Sequence, residues 1–136
     1  MKSVLFLSLI ALMSLTACKK DSSSGSGSTI NDAPRSIRFT LYSDKDLSTD
    51  NEDVLFNVFI QTSSGQPIWD SALAPMKVKN IPDLANKIVV DKTITGYANS
   101  LLKVGFRYSL PGVGDSWHYD AASPGETFSE VIFNFQ

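Results

Sequence analysis

Alternation of apolar and polar residues is the feature that most constrains the fold of this chain. From Arg35 onward, apolar residues recur at every second position in several segments. A period of two places alternate side chains on one face of a strand, whereas an amphipathic helix needs a period near 3.6. The pattern therefore predicts half-buried strands, and its clearest runs are Ile37 to Leu41, Val54 to Ile60, Ile88 to Ile94, Leu102 to Leu110 and Val131 to Phe135.

Three shorter segments complete a set of about eight predicted strands: Ile68 to Leu73, Met76 to Ile81 and Ser116 to Asp120. Clusters of Gly, Pro, Ser and Asp separate the strands and are typical of tight turns. Helix has little support, because Pro75 interrupts the best window. We therefore expect residues 35–136 to form a single antiparallel β-sandwich of the all-β class, immunoglobulin-like or C2-like in appearance, with a small barrel as the alternative.

Residues 1–17 have a different character. Lys2 precedes an apolar run that extends from Val4 to Leu15. A run of about a dozen residues matches the central region of a signal peptide and is shorter than the roughly 20 residues of a membrane-spanning helix. The segment is therefore interpreted as a signal peptide.

The end of this run, Leu15-Thr16-Ala17-Cys18, resembles the lipobox of bacterial lipoproteins. The resemblance implies cleavage before Cys18, a thioether link from its sulfur to diacylglycerol, and a location at the outer membrane of the cell envelope. Cys18 is the only cysteine, so the chain can form neither an internal disulfide nor a multi-cysteine metal site. The alternative is a free thiol that follows an ordinary secretory signal.

Residues 18–34 read as a tether, because their Ser- and Gly-rich composition cannot bury apolar surface. A flexible coil of this length reaches roughly 20 Å. Lys19, Lys20 and Asp21 resemble the charged sorting signals of surface-exposed lipoproteins in some bacteria with two membranes. They can equally serve to keep the tether solvated.

The charge balance argues against a nucleic-acid partner. The chain has 12 basic and 14 acidic residues, and its net charge is −2. Without a basic surface, it has no general attraction for a phosphate backbone.

An acidic segment between the first two predicted strands is a candidate calcium site, with Asp44, Asp46, Asp50 and Glu52 as ligands. Carboxylates are suitable ligands for Ca²⁺. The EF-hand pattern fails, since Thr49 replaces the required Gly and Leu55 the bidentate Glu. A C2-like site, completed by Asp115 or Asp120 from a second loop, is one interpretation; a solvated connection is the other.

Catalysis has few candidate residues. Ser116, His118 and Asp120 would share one face of a strand, but alternate Cα atoms lie about 7 Å apart, too far to enforce proton transfer along a triad. We therefore expect no enzymatic activity and interpret His118 as an ordinary surface histidine.

Four aromatic residues lie in or beside loops and short strands: Trp69, Tyr97, Trp117 and Tyr119. Trp117 and Tyr119 are candidates for stacking on a sugar, although core packing or a protein interface would also account for them.

We expect a non-enzymatic, lipid-anchored envelope protein whose β-sandwich serves as a binding or structural module. Its expected partners are the membrane, through Cys18, and an envelope protein or a glycan. A Ca²⁺-binding C2-like module and a carbohydrate-binding accessory lipoprotein are the alternatives, and no cofactor other than Ca²⁺ is suggested.

Overall fold

The computed structural model describes residues 33–136, which form two packed β-sheets. The eight strands are β1 (Arg35–Tyr42), β2 (Asp53–Thr62), β3 (Pro67–Ala72), β4 (Met76–Lys77), β5 (Ile88–Ile94), β6 (Leu102–Leu110), β7 (Gly114–Ala122) and β8 (Phe128–Asn134). Two 3-10 turns, Val78–Asn80 and Leu84–Asn86, lie between β4 and β5. The prediction of an all-β sandwich with about eight strands is confirmed.

The strand order is β5-β1-β8 in the three-stranded sheet and β3-β2-β6-β7 in the five-stranded sheet, where β4 also pairs with β2. All pairs are antiparallel except β1 and β8, which run parallel. The β1 and β8 pair is therefore the one exception to the antiparallel arrangement among the described strands. The chain crosses from one sheet to the other between β7 and β8, so no hairpin forces β8 to run antiparallel to its neighbour.

The segment from Met76 to Ile81 is a strand for only two residues and then continues as a 3-10 turn. β3 and β4 pair with different parts of β2. Pro75, which lies between them, has no N–H to donate to a ladder. The predicted strand ends early because the chain turns at Val78, where the N–H of Ile81 donates a hydrogen bond to the carbonyl oxygen of Val78.

Alternate residues of four strands fill the space between the sheets: Ile37, Phe39, Leu41, Val54, Phe56, Val58, Ile60, Leu102, Val104, Phe106, Val131 and Phe133. The same register turns the intervening side chains of each strand outward. The core therefore decides which residues are available on the two outer faces.

Arg35, the first residue of β1, is buried with only 1% of its surface exposed. Its guanidinium donates hydrogen bonds to the carbonyl oxygens of Tyr97 (3.1 Å), Ser100 (2.8 Å) and Ser123 (2.9 Å). Three carbonyl acceptors compensate for burial of the cation. Arg35 thus ties two loops to the start of β1.

Candidate ligand-binding face

The two aromatic residues suggested for sugar binding, Trp117 and Tyr119, lie on the outer face of the five-stranded sheet. Both belong to β7, and the intervening His118 pairs with the core residue Phe106 of β6. Trp117 is 51% exposed and Tyr119 is 54% exposed. Two large rings, two positions apart on one strand, therefore share a face that solvent can reach.

These two rings belong to a larger set of outward-facing residues on β2, β6 and β7. We term the set the aromatic face: Asn57, Phe59, Gln61, Lys103, Gly105, Arg107, Trp117 and Tyr119. These positions alternate with buried residues of the same strands, so the pairing that fills the core also assembles this face.

Phe59 forms the floor of the aromatic face. It is only 6% exposed, although it points away from the space between the sheets. The ring of Trp117 covers it edge to face, with 5.5 Å between the ring centroids and 78° between the planes. Such aromatic pairs contribute about 0.5 to 1.5 kcal/mol beyond the area they bury. Phe59 therefore holds Trp117 in place while half of the Trp117 surface remains in water.

Gly105 allows β7 to approach β6 closely. It lies between Phe59 and Tyr119 in the strand register. A Cβ atom on Gly105 would collide with the carbonyl oxygen of His118 and lie 2.6 Å from the Cα of Tyr119. Glycine inside a strand often marks such a close backbone approach. A larger residue would displace β7 and the two rings it carries.

Two cationic side chains lie against the exposed rings. The Arg107 Cζ atom is 5.5 Å from the centroid of Trp117, and the Lys103 Nζ atom is 5.9 Å from the centroid of Tyr119. Each contact stabilises an exposed pair by about 0.5 to 1 kcal/mol. The ion pairs among residues 33–136 involve other side chains. Both cations are therefore without a carboxylate partner in this part of the chain.

A cleft of about 190 Å³ opens beside Trp117, with Asn57, Asp70 and Arg107 among its lining residues. The Oδ1 atom of Asn57 is buried and has no hydrogen-bond partner within residues 33–136. Buried polar atoms are normally paired, so an unpaired acceptor in a cleft is available to a donor from a ligand. The cleft is smaller than the roughly 300 Å³ typical of the smallest drug-sized pockets, so it suits part of an extended ligand.

The predicted calcium ligands are engaged in local hydrogen bonds. Asp46 accepts one from the backbone N–H of Ser48, and Asp50 accepts one from that of Glu52, both at 3.0 Å. The hydroxyl and N–H of Ser48 hold the pKa of Asp46 below its usual value. Within the described range, no group of three or more His, Cys, Asp or Glu residues is arranged to hold a metal ion.

The other acids considered for the calcium site lie in different surroundings. Asp44 accepts a hydrogen bond from the Nδ2 atom of Asn134 at 2.9 Å. Asp115 and Asp120, expected on a second loop, instead lie within β7. In the described residues, three of the predicted ligands therefore take part in local hydrogen bonds, and the Ca²⁺ site stays a prediction.

His118 joins the two sheets where β7 faces β8. Its ring stacks on Phe133, with 4.6 Å between the centroids and 8° between the planes. Its Nε2 atom lies 3.0 Å from the carbonyl oxygen of Ile132, which can only accept a hydrogen bond. Among the described contacts His118 bonds to neither Ser116 nor Asp120, so these residues form no proton relay.

Sequence reasoning alone does not place Phe59, Asn57 or Arg107 in this face. Gly105, within the alternating run from Leu102 to Leu110, is the one local signal of this face, since strands rarely contain glycine without a packing reason.

The other two aromatic candidates pack inward. The ring centroids of Trp69 and Phe39 lie 6.1 Å apart, and Tyr97 is half-buried against the core.

Cys18, the signal peptide and nearly all of the tether lie outside the described residues. In residues 33–136, no helix has the length and apolar character needed to cross a bilayer.

No family model, curated protein or solved structure matches the chain. The assignment of the candidate site therefore depends on its own geometry.

Proposed function

We propose that this protein is a non-enzymatic, lipid-anchored protein of the bacterial cell envelope, and that its β-sandwich binds glycans on the aromatic face. The observation that carries the proposal is the exposed pair of Trp117 and Tyr119, in which Trp117 packs against Phe59. One side of a sugar ring presents C–H groups that pack on an aromatic ring, while the hydroxyl groups remain at the rim for hydrogen bonds.

Polar side chains beside Trp117 support the proposal. Asn57, Gln61 and Asp70 line the cleft next to Trp117. An apolar surface with a few convergent polar groups is the usual composition of a small-ligand site. Exposed Trp and Tyr side chains that lie together are also enriched at recognition surfaces. These features favour a ligand that combines an apolar face with several hydroxyl groups.

The anchor supports the same proposal through the location it would provide. Lipidation of Cys18 would place the domain at the outer membrane, and the tether of residues 18–34 would hold it roughly 20 Å from the lipid. Envelope and extracellular polysaccharides are accessible to a domain in that position. An envelope protein that occupies the aromatic face is the competing outcome.

The anchor is tested by Cys18→Ser with labelled palmitate. We expect the parent to incorporate the label and to remain in the membrane fraction, and the variant to do neither. Continued labelling and membrane retention of the variant would show that the lipobox interpretation is wrong.

The binding face is tested by native gel electrophoresis in gels that contain a soluble polysaccharide. The panel includes a neutral β-glucan, a galactomannan and polygalacturonate. The chain starts at residue 18 and carries Cys18→Ser, so every described residue is present. We expect at least one polysaccharide to retard the parent, and Trp117→Ala to abolish the retardation.

Phe128→Ala is the matched control. Phe128 is also 51% exposed, but it lies on the outer face of the three-stranded sheet. Equal losses in the two variants, or no retardation by any polysaccharide, would contradict the proposed glycan site.

A further inference from the structure

The aromatic face carries positive charge on an otherwise acidic domain. Residues 35–136 contain 9 basic and 12 acidic residues, which is a balance of −3. The charged members of the aromatic face, however, are the two cations Arg107 and Lys103. Asp70, which pairs with Phe59, and Asp115, two positions before Trp117, face outward beside it, but neither forms an ion pair with these cations. Two cations without an ion-pair partner in residues 33–136 favour an anionic ligand.

The other arginines of the domain are already occupied. Arg35 is buried among three carbonyl oxygens, and Arg38 is paired with Asp91. Arg107 is exposed, and its planar guanidinium lies against the ring of Trp117. An accessible guanidinium recognises carboxylate with two parallel hydrogen bonds. A ligand stacked on Trp117 could therefore place a carboxylate beside Arg107.

Two pairs of a cation on β6 and a ring on β7 lie side by side. Trp117 and Tyr119 are two residues apart, which corresponds to about 7 Å along a strand. Each ring has its own cation, Arg107 for the first and Lys103 for the second. A repeating ligand that offers an apolar ring and a negative charge in each unit would use both pairs.

The ligand must also donate hydrogen bonds. The buried Oδ1 atom of Asn57 lacks a donor within residues 33–136, and Asn57 pairs with Arg107 in the strand register. A sugar hydroxyl supplies such a donor in a recess beside the cation. A membrane surface instead presents its headgroups over a broad plane, which does not enter a recess of about 190 Å³. These observations favour a glycan over lipid headgroups.

We propose that the aromatic face binds a carboxylated polysaccharide, a polyuronate, with Arg107 and Lys103 pairing with the carboxylates of successive sugars stacked on Trp117 and Tyr119. This inference depends on the proposed glycan-binding function and specifies the charge of the glycan.

The experiment compares polygalacturonate with the same polymer after methyl esterification, which removes the charge and keeps the sugar rings. Apparent dissociation constants come from affinity electrophoresis of the chain used above. We expect the esterified polymer to bind at least tenfold more weakly than the charged one. We also expect Arg107→Gln to weaken polygalacturonate binding roughly tenfold, as for loss of one charge-assisted contact, and Lys103→Gln to weaken it less.

Arg38→Gln is the control, because it removes an arginine from the opposite outer face and should leave the affinity unchanged. Melting temperatures verify that all three variants fold. Added NaCl should weaken binding of the charged polymer more than binding of the esterified one.

The outcomes separate this inference from the function on which it depends. Equal, Trp117-dependent binding of both polymers would overturn the charge inference and leave glycan binding intact. Binding of neither polymer, with no glycan in the panel retarding the parent, would overturn both. Binding of phosphatidylglycerol vesicles but not polygalacturonate, with loss in Arg107→Gln, would overturn the inference in favour of a membrane surface.

Discussion

Each outer face of the sandwich has an arginine against an aromatic ring, but only one of the two arginines is paired with an acid among the described residues. On the three-stranded sheet, Arg38 lies 5.8 Å from the ring centroid of Phe128 and donates hydrogen bonds of 2.8 and 3.1 Å to Asp91. On the five-stranded sheet, Arg107 lies 5.5 Å from the ring of Trp117, with no ion pair in the described part of the chain. Arg38 is thus neutralised by a neighbouring acid, whereas Arg107 keeps its charge for the ligand that we propose.

Hydrogen bonding follows the same division. On the three-stranded sheet, the hydroxyl of Thr40 is buried and donates to Glu130 at 2.9 Å. On the aromatic face, the buried Oδ1 atom of Asn57 has no donor among residues 33–136. Thr40 is therefore paired within the first surface, while the second contains an unpaired acceptor and an unpaired cation among the described residues.

Gly105→Ala should have the largest effect on stability, because it displaces the strand that carries Trp117 and Tyr119 and so disrupts the aromatic face. The new Cβ would meet the backbone of β7. We expect a loss of about 3 kcal/mol, at the upper end of typical overpacking costs. For a domain of this size the melting temperature should fall by roughly 12 to 24 °C. Thermal unfolding followed by circular dichroism measures the change.

Ser109→Ala, a substitution at an outward position of the same strand, is the control and should have little effect. A melting temperature of Gly105→Ala within about two degrees of the parent would show that β7 does not need the close approach.

Asp91→Asn tests the neutralised face, and its effect should depend on pH. Hydrogen bonds from Arg38 hold the pKa of Asp91 below its usual value. A lowered carboxyl pKa stabilises the folded state above the unfolded-state pKa, near 3.9, and this stabilisation disappears as the pH falls through the folded-state pKa. We expect the variant to melt about 1 to 3 °C lower than the parent at pH 7, and the difference to vanish near pH 2.

A deficit of equal size at both pH values would contradict this account of Asp91. The same variant also tests whether an unpaired arginine over a ring is enough for binding, since it leaves Arg38 without an acid partner above Phe128. We expect it to gain no affinity for polygalacturonate at that face, because Arg38 over Phe128 has no second cation and ring pair beside it among residues 33–136.

Removal of residues 1–33 should affect neither face. Ala33 and Pro34 are exposed, and the strand ladder starts at Arg35. Polar terminal segments contribute little burial, so we expect the melting temperature to change by at most a couple of degrees. A drop of about ten degrees in the truncated protein would indicate that the tether packs on the sandwich.

Calcium should have the smallest effect. The carboxylates of Asp44, Asp46 and Asp50 accept hydrogen bonds from neighbouring groups. We expect melts in millimolar Ca²⁺ and in chelator to coincide. A bound ligand at 100 times its dissociation constant would add about 2.7 kcal/mol, so a calcium-dependent rise of ten degrees or more would restore the predicted site. Asp44→Asn with Asp46→Asn would then show whether these carboxylates hold the ion.

The sequence by itself determined the strands, most of their limits and the residues that fill the core. Ile37, Phe39 and Leu41 are buried as their alternation predicts. Burial of one face of a strand is a local property, because successive side chains point to opposite sides whatever the strand pairs with. Turns are local in the same sense, so the connections were also predictable from Gly, Pro and Asp.

Tertiary structure alone decided which strands became neighbours and therefore how the candidate site is built. Phe59 is buried on an outer face because Trp117, 58 positions later in the chain, lies over it. The sequence suggests that Arg35 is an exposed charge, whereas in the fold it is buried and the loops around Tyr97 and Ser123 supply its acceptors. The parallel direction of β8 likewise follows from a crossover between sheets. Contacts of this kind depend on pairing and register between distant segments, and no local periodicity encodes them.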